Sequence, residues 1–315
     1  MIGSILLPLA AAVALLTALL VGFSYVRARV LLTPRRTLPS LRPADLGLSV
    51  EDVRIPGPRG SLAAWYLPAR NGCTLICCHG IHDNRGQWLD QVARLHGRSG
   101  YGAVLFDFSG HGESDGRLVT YGARETLDVA AVLAYLQERG DVDMTRIGIL
   151  GYSLGAITAI LAAADIPELE CVVVESGFAD VHRDLGVLFR RYLGLPSFPF
   201  ANLIVFFAEL MSGVRLAEIR PARVIGRISP RAVLIIADLK DELANEPYDG
   251  EHLYAAAGEP KQLWQVADAH HVRAFQLMPD EWIARVGGFL DEYLASLPAT
   301  PLLATRSQTP PRPEC

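Results

Sequence analysis

Charge is scarce in this 315-residue chain: 20% of its residues are Asp, Glu, Lys or Arg, against 50% that are hydrophobic. An average soluble domain carries more charge and less apolar surface, so the excess belongs to a membrane span or to an unusually large core. A basic surplus is missing as well. The net charge of −5 gives no basis for nucleic-acid binding, and none is expected. A disulfide framework is also missing. The five cysteines are an odd number, and Cys73, Cys77 and Cys78 crowd one apparent strand, where a metal site would still need a histidine partner. They read as core thiols, and no metal or organic cofactor is implied. The chain shows no internal repeat.

Residues 2–26 are wholly free of charged side chains, 25 positions in a row. As a helix this stretch is roughly 37 Å long at ~1.5 Å per residue, enough to cross a hydrocarbon core of about 30 Å with tilt. Pro8 kinks such a helix without excluding it. A cleaved signal peptide calls for a basic leader, a shorter apolar run and a small-residue cleavage site, whereas this segment runs straight into Tyr25, Val26 and Arg27. The expectation is a single-pass anchor over 1–27. Arg27, Arg29, Arg35 and Arg36 follow it, which by the positive-inside rule puts the remainder of the chain in the cytoplasm. Residues 28–47, with Pro34, Pro39 and Pro43, read as an extended juxtamembrane linker. The globular domain is expected over 48–297, and the Pro- and Thr-rich tail 298–315 is expected to be disordered.

Within the domain, short apolar runs at 74–78, 103–106, 147–150, 171–174, 233–237 and 262–266 alternate with helical patterns at 123–139, 154–164 and 280–296. Continuous β-branched runs between amphipathic helices predict an α/β fold, a mostly parallel sheet covered on both faces. In such sheets the ligand site lies at the carboxyl ends of the strands, and the motifs of this chain fall there.

Gly151-Tyr152-Ser153-Leu154-Gly155 is the strongest of them. A G-x-S-x-G pattern alone arises by chance in roughly one such sequence in ten, but here a strand-like run precedes it and a helical run comes after it. That is the context of a nucleophile elbow. A sharp turn lifts the serine hydroxyl clear of the sheet, the glycines remove side chains that would clash, and the next helix aims its first amides at the site. The second motif, His79-Gly80-Ile81-His82-Asp83-Asn84-Arg85, lies directly after the strand at 74–78. Its glycine lets the backbone turn so that the Ile81 N–H, with the Leu154 N–H, can form an oxyanion hole. His79 reads as a loop brace and His82 as a surface or rim residue.

These residues resemble the α/β-hydrolase superfamily, and within it the serine aminopeptidase S33-like, BEM46-like branch of bacterial hydrolases, which often carry an N-terminal membrane segment. The resemblance runs from about residue 48 to 290. It is carried by HGIHDNR at 79–85, FDFSGHGESDG at 106–116, GYSLG at 151–155, LYAAAGEPKQLWQV at 253–266 and AHHV at 269–272. It departs at Ser109, where the family usually has arginine. Asp107 and His111 in that segment read as structural. A serine hydroxyl needs a base, and the chain order of this fold is nucleophile, acid, histidine. The resemblance implies His271 as the base, with His270 as the alternative and His252 on a helix facing away. It implies Asp241 as the acid, with Asp238 and Glu175 as competitors, because the loop after 233–237 lacks the usual His-Gly and Val-Pro. An insertion at about 180–229 occupies the position of a small helical cap. Its apolar face lines an acyl pocket or packs on the domain, and the patch 203–207 is a candidate for contact with the bilayer.

The implied function is hydrolysis of an ester, thioester or amide of a small-molecule or lipid-like acyl substrate through an acyl-enzyme on Ser153. An Asp in place of Ser153 would be needed for epoxide hydrolase or haloalkane dehalogenase chemistry. An acyltransferase or peroxidase on the same triad and a catalytically inactive membrane scaffold are the other two classes. Nothing in the sequence fixes an oligomeric state.

Overall fold

The computed structural model describes residues 2–194, 196–243 and 248–299. The expected tail from residue 300 onward and the side chains of Tyr192 and Leu193, counted in the expected cap, lie outside the described residues. The strands are β1 (Glu51–Gly57), β2 (Gly60–Leu67), β3 (Thr74–Cys78), β4 (Gly102–Phe106), β5 (Ile147–Tyr152), β6 (Leu169–Glu175), β7 (Ala232–Asp238) and β8 (Lys261–Val266). The helices are α1 (Ile2–Leu32), α2 (Leu89–Ser99), α3 (Glu125–Glu138), α4 (Leu154–Asp165), α5 (Val181–Leu193), α6 (Asn202–Ser212), α7 (Pro221–Val224), α8 (Tyr248–Ala256), α9 (Ala274–Leu277) and α10 (Pro279–Leu290).

One eight-stranded sheet runs in the order β1-β2-β4-β3-β5-β6-β7-β8. From β4 onward every pairing is parallel, and β1 and β2 add an antiparallel edge. The parallel part is a consequence of the sequence physics. All residues of β3, β4, β5 and β7 are buried, which requires apolar side chains on both faces. Alternation then sorts them: Ile76 and Cys78 face the side covered by α3, α4 and α8, and Leu75 and Cys77 face the side covered by α2 and α10. Cys73, Cys77, Cys78 and Cys171 are buried free thiols, and burial pushes all four thiols up, out of the range in which thiolate forms at neutral pH.

The amino-terminal helix differs from the expectation in its length, and the connector beyond it differs in its packing. The helix is long and apolar enough to cross a bilayer, with a mean hydropathy of 2.5 over its most apolar window, and Leu6, Leu7, Leu9, Leu15, Leu16 and Leu19 are exposed along it. It does not end near residue 27 but continues to Leu32, because its last turns are packed on the domain: Ser24, Ala28 and Leu32 are fully buried. Leu32 O accepts from Val119 N (2.8 Å) and Leu31 O from the Tyr121 hydroxyl (3.1 Å). The connector runs extended past Pro34 and Pro39, closes in a short 3-10 turn at Pro43–Leu46, and is docked. Arg36 donates to the carbonyls of Gly112, Ser114 and Gly116, and Thr37 donates to His82 O.

Between β6 and β7 the chain forms α5, α6 and α7. Helix α6 lies along α1, with Phe23 edge-on to Phe200 and Tyr25 edge-on to Phe207. The patch at 203–207 is therefore split: Ile204 and Val205 are buried, while Phe206 is exposed, as are Phe198 and Leu210 of the same segment. Helix α5 is held at its base by an acidic cluster. Asp180 caps it through Arg183 N and pairs with Arg220, Arg183 bridges Asp184 and Asp249, and Asp249 accepts from Ala179 N.

Burial, reinforced by the Asp249 charge, pushes the Asp184 carboxyl up to about 7 against the pull of Arg183. A carboxyl raised on folding contributes stability that is complete below its unfolded pKa, near 4, and is lost as pH rises through its folded value. The thermal midpoint is thus expected to fall between about pH 4 and pH 7 by an amount that Asp184→Asn removes; superimposable profiles for the two proteins reject this assignment.

Candidate active site

The site is built on a close backbone crossing. A Cβ on Gly155 would lie 2.1 Å from Cys78 O, and one on Gly151 would lie 2.2 Å from Gly155 O. Only glycine allows β5, the first turn of α4 and the end of β3 to meet this closely. The turn between them falls on Ser153, at φ 53°, ψ −112°, a conformation that L-residues rarely hold. It persists because its backbone is held on both sides: Ser153 N donates to Glu175 O (3.0 Å) and Ser153 O accepts from Ile157 N (3.1 Å). Beneath it, Tyr152 is stacked on Trp88 with ring centroids 3.6 Å apart, and the Trp88 indole N–H donates to Cys78 O (3.0 Å).

Two cavities meet at Ser153. One of about 320 Å³ is predominantly apolar and is lined by Phe178, Leu185, Leu188 and Phe189 from the chain between β6 and the end of α5, and by Leu31 and Arg27 of α1. The other, of about 630 Å³, is polar; it includes His271, Arg273 and the loop 80–87, and Thr37, Leu38 and Ser40 of the connector form its outer wall. Of the cap expected at about 180–229, α5 turns apolar side chains to this cavity, while α6 packs on α1 instead. Ile81 lines both cavities, and Leu154 lines the apolar one. Leu154 is the first residue of α4, so its N–H is among the donors an α-helix leaves unsatisfied. Gly80, just before Ile81, gives its own N–H to Gln87 Oε1 (2.7 Å).

The two neighbouring histidines have different partners. His271 Nδ1 is 2.6 Å from Asp241 Oδ2, with the carboxylate fully buried and the imidazole reaching the polar cavity. His270 Nδ1 is 2.9 Å from Glu242, and both are exposed. Asp241 is further fixed by accepting from Leu243 N (2.8 Å). His252 lies on α8 and is exposed.

The competing carboxylates are occupied elsewhere. Asp238 accepts from the Ser176 hydroxyl (2.9 Å) and from Arg273 N (3.2 Å). Glu175 accepts from Ala274 N and the Trp282 indole, both at 3.2 Å. Together they brace the loop after His271, in which Val272 takes φ 55° and donates to Ser176 Oγ. Burial raises both carboxyls, Glu175 far above its ordinary range; the Asp238 charge further opposes ionisation of Glu175, whereas a hydrogen bond from Glu175 favours the Asp238 carboxylate. Among the described residues no donor is placed on Asp238 Oδ1, and a proton on Glu175 supplies one. The sequence alone leaves both residues among the possible acids; their bracing role depends on long-range pairing that no local pattern encodes.

The first loop is braced as expected. His79 is fully buried and neutral, since burial lowers its pKa; Nε2 accepts from Phe108 N (3.0 Å) and Nδ1 faces Gly80 O (2.7 Å). Buried Arg85 pairs with Asp107 and Glu113, and burial holds His111 neutral. Ser109, at the departure from the family pattern, donates to Asp128 (2.8 Å), which Arg59 also engages. His82 is a rim residue at φ 64°. Its Nδ1 accepts from Arg35 N (3.0 Å), so the connector holds this loop directly.

A parallel sheet with a strained serine at a strand-helix elbow, beside a buried carboxylate-histidine pair, defines an α/β-hydrolase. Comparison with known proteins agrees. The family model described as X-Pro dipeptidyl-peptidase (S15 family) matches residues 63–276, and the chain belongs to that family. It is 30% identical over 220 residues to the uncharacterized protein YqkD of Bacillus subtilis, covering 69% of this chain and 71% of the relative. It is similar to the solved esterase Pf2001 of Pyrococcus furiosus, with 28% identity, a TM-score of 0.70, and 84% of this chain and 98% of that one covered. It also has the fold of the α/β hydrolase GrgF of Penicillium, at 20% identity and a TM-score of 0.63, over 79% of this chain and all of that one. The chain is a hydrolase of the serine-hydrolase type.

The glycine crossing is directly testable. Gly155→Ala is expected to cost about 3 kcal/mol or more, a drop of at least ~6 °C in thermal midpoint. Gly288→Ala in α10, where a Cβ meets nothing within 4 Å, is expected to leave the midpoint unchanged or slightly raised. Equal midpoints for the two variants are incompatible with this crossing.

Proposed function

We propose that this protein is a membrane-anchored acyl hydrolase that cleaves esters of apolar, lipid-derived acyl groups, with Ser153 as nucleophile, His271 as base and Asp241 as the acid that orients it. The observation that carries this reading is that Ser153 stands between an apolar cavity and the groove holding the His271–Asp241 pair. His271 takes the Ser153 proton as the hydroxyl attacks the carbonyl. The amides of Ile81 and Leu154 hold the oxyanion. His271 then protonates the leaving group and activates the water that hydrolyses the acyl-enzyme. Asp241 keeps the imidazole in the tautomer with its free nitrogen toward the serine.

The apolar cavity suits an acyl chain, and the polar groove suits incoming water. The family name and the esterase likeness support amide and ester cleavage respectively. Residue chemistry favours the ester: among the described residues the apolar cavity has an arginine and no carboxylate in its lining, so a peptide's terminal ammonium would meet repulsion rather than a partner. The S33-like, BEM46-like branch remains our proposed subgroup on the motifs at 79–85 and 106–116. We assign α1 as a single-pass anchor with the domain 48–297, its cap at about 180–229 included, on the cytoplasmic side, supported by Arg27, Arg29, Arg35 and Arg36.

A fluorophosphonate probe tests the chemistry. Wild type is expected to be labelled and Ser153→Ala not; His271→Ala abolishes labelling while His270→Ala retains it, and Asp241→Asn lowers kcat by about 10³–10⁴. Absence of wild-type labelling at pH 8 rejects the reading. Protease added to sealed inverted vesicles is expected to digest the domain, and protection rejects the cytoplasmic placement.

A further inference from the structure

The apolar cavity beside Ser153 has an arginine in its wall, and that arginine comes from the apolar amino-terminal helix. Arg27 and Leu31 stand one turn apart on α1 and both line the cavity. This wall is fixed. Ser24, Ala28 and Leu32 of the same turns are buried, the carbonyls of Leu31 and Leu32 are bonded to Tyr121 and Val119, and aromatic pairs lock α1 to the chain around α6.

Arg27 is half-buried. Among the described residues no carboxylate or carbonyl accepts from its guanidinium, in contrast to Arg36, Arg59, Arg85 and Arg183. A guanidinium at the edge of an apolar cavity is short of water on one side and gains by pairing with a carboxylate or phosphate, the pairing its planar fork suits best.

Its position along the chain says where such an anion comes from. The charge-free stretch ends at Val26, so Arg27 stands at the level where α1 leaves hydrocarbon, among lipid headgroups. Leu31 lies only about 6 Å further along the axis. The exposed Phe23 and Tyr25 on α1, with exposed Phe198 and Phe206 on the chain packed against it, form an aromatic belt at that level. An apolar chain can therefore pass from the bilayer to Ser153 along the α1 wall without crossing bulk water. The cavity, about 320 Å³, lies at the small end of ligand pockets, which suits one chain rather than two.

We propose that the substrate is a single-chain anionic amphiphile drawn from the bilayer, its chain in the cavity between α1 and α5 and its anionic group paired with Arg27. This rests on the acyl-hydrolase reading above and names the substrate class for that same serine.

The full-length protein in vesicles tests it, with 1-acylglycerol 3-phosphate and the uncharged 1-acylglycerol of equal chain length as probes. Wild type is expected to prefer the phosphate by at least about tenfold in kcat/KM. Arg27→Gln is expected to bring that ratio near one, chiefly through the KM of the anionic ester, and Arg27→Lys to restore part of it; thermal midpoints confirm that both variants are folded. Equal rates on the two wild-type substrates, or a preference that survives Arg27→Gln, overturn the proposal. So does equal activity on a short-chain monomeric phosphate ester free in solution, which would make the source aqueous. Fluorophosphonate labelling of Ser153 separates the failures: labelling without anionic preference refutes only the substrate class, whereas no labelling refutes the hydrolase reading itself.

Discussion

The contact between Gly155 and the carbonyl of Cys78 is the constraint on which the rest of the site depends. Two backbones meet where any side chain would keep them apart, and every other feature is a consequence of that proximity. The start of α4 comes to rest against the end of β3, so the loop carrying Ile81 and the first amides of the helix converge from opposite sides. The intervening turn has room for one residue, Ser153, and only in a positive-φ conformation. The Cys78 carbonyl, crowded on one side, is bonded on the other by Trp88, whose ring also lies flat on Tyr152. A strained residue survives when its surroundings over-determine it, and here a hydrogen bond, a stacked ring and two glycine contacts do so.

A second constraint concerns charge. Three carboxylates lie within a few residues of the ends of β6 and β7, and three independent anions in so buried a place would be mutually destabilising. They are separated by partner. Burial holds Glu175 protonated beside Asp238, and both accept from amides of the loop after His271. Asp241, one turn further on, meets the imidazole itself. The pair thus sets the height and direction of the histidine loop, and the third carboxylate sets the orientation of the ring.

The parallel part of the sheet was legible in the sequence because burial on both faces leaves an unbroken apolar run, and β3 lies where that run lies. Ser153 was legible because the crossing demands glycines at fixed spacing. The β1–β2 hairpin was not: β1 is largely exposed and carries Glu51, Asp52, Arg54 and Pro56, so it has neither a continuous run nor a clean alternation. The last turn and a half of α1 were hidden by Arg27 and Arg29, which read as the end of an apolar span although Ala28 and Leu32 beside them are core residues. The choice among Asp241, Asp238 and Glu175 was open for a different reason. It depends on which backbone amides and side chains approach each carboxylate, and those groups belong to residues some 30 to 100 positions away.

The docked connector bears on what an anchor does for such an enzyme. A free linker of 20 residues would let a domain wander about 25 Å from its attachment point, and the groove would sample every height and orientation above a membrane. Here Arg36 is tied to three carbonyls, Thr37 and Arg35 to His82, and α1 itself continues into the core. In the anchored reading, the height of Ser153 above the bilayer is therefore set by packing rather than by chain entropy. The segment that sets it also forms the outer wall of the polar groove and one side of the apolar cavity. Tethering and the shape of the site are then one structural problem: any shift of α1 relative to α6 that changed the depth of the domain would also reshape the apolar cavity beside Ser153.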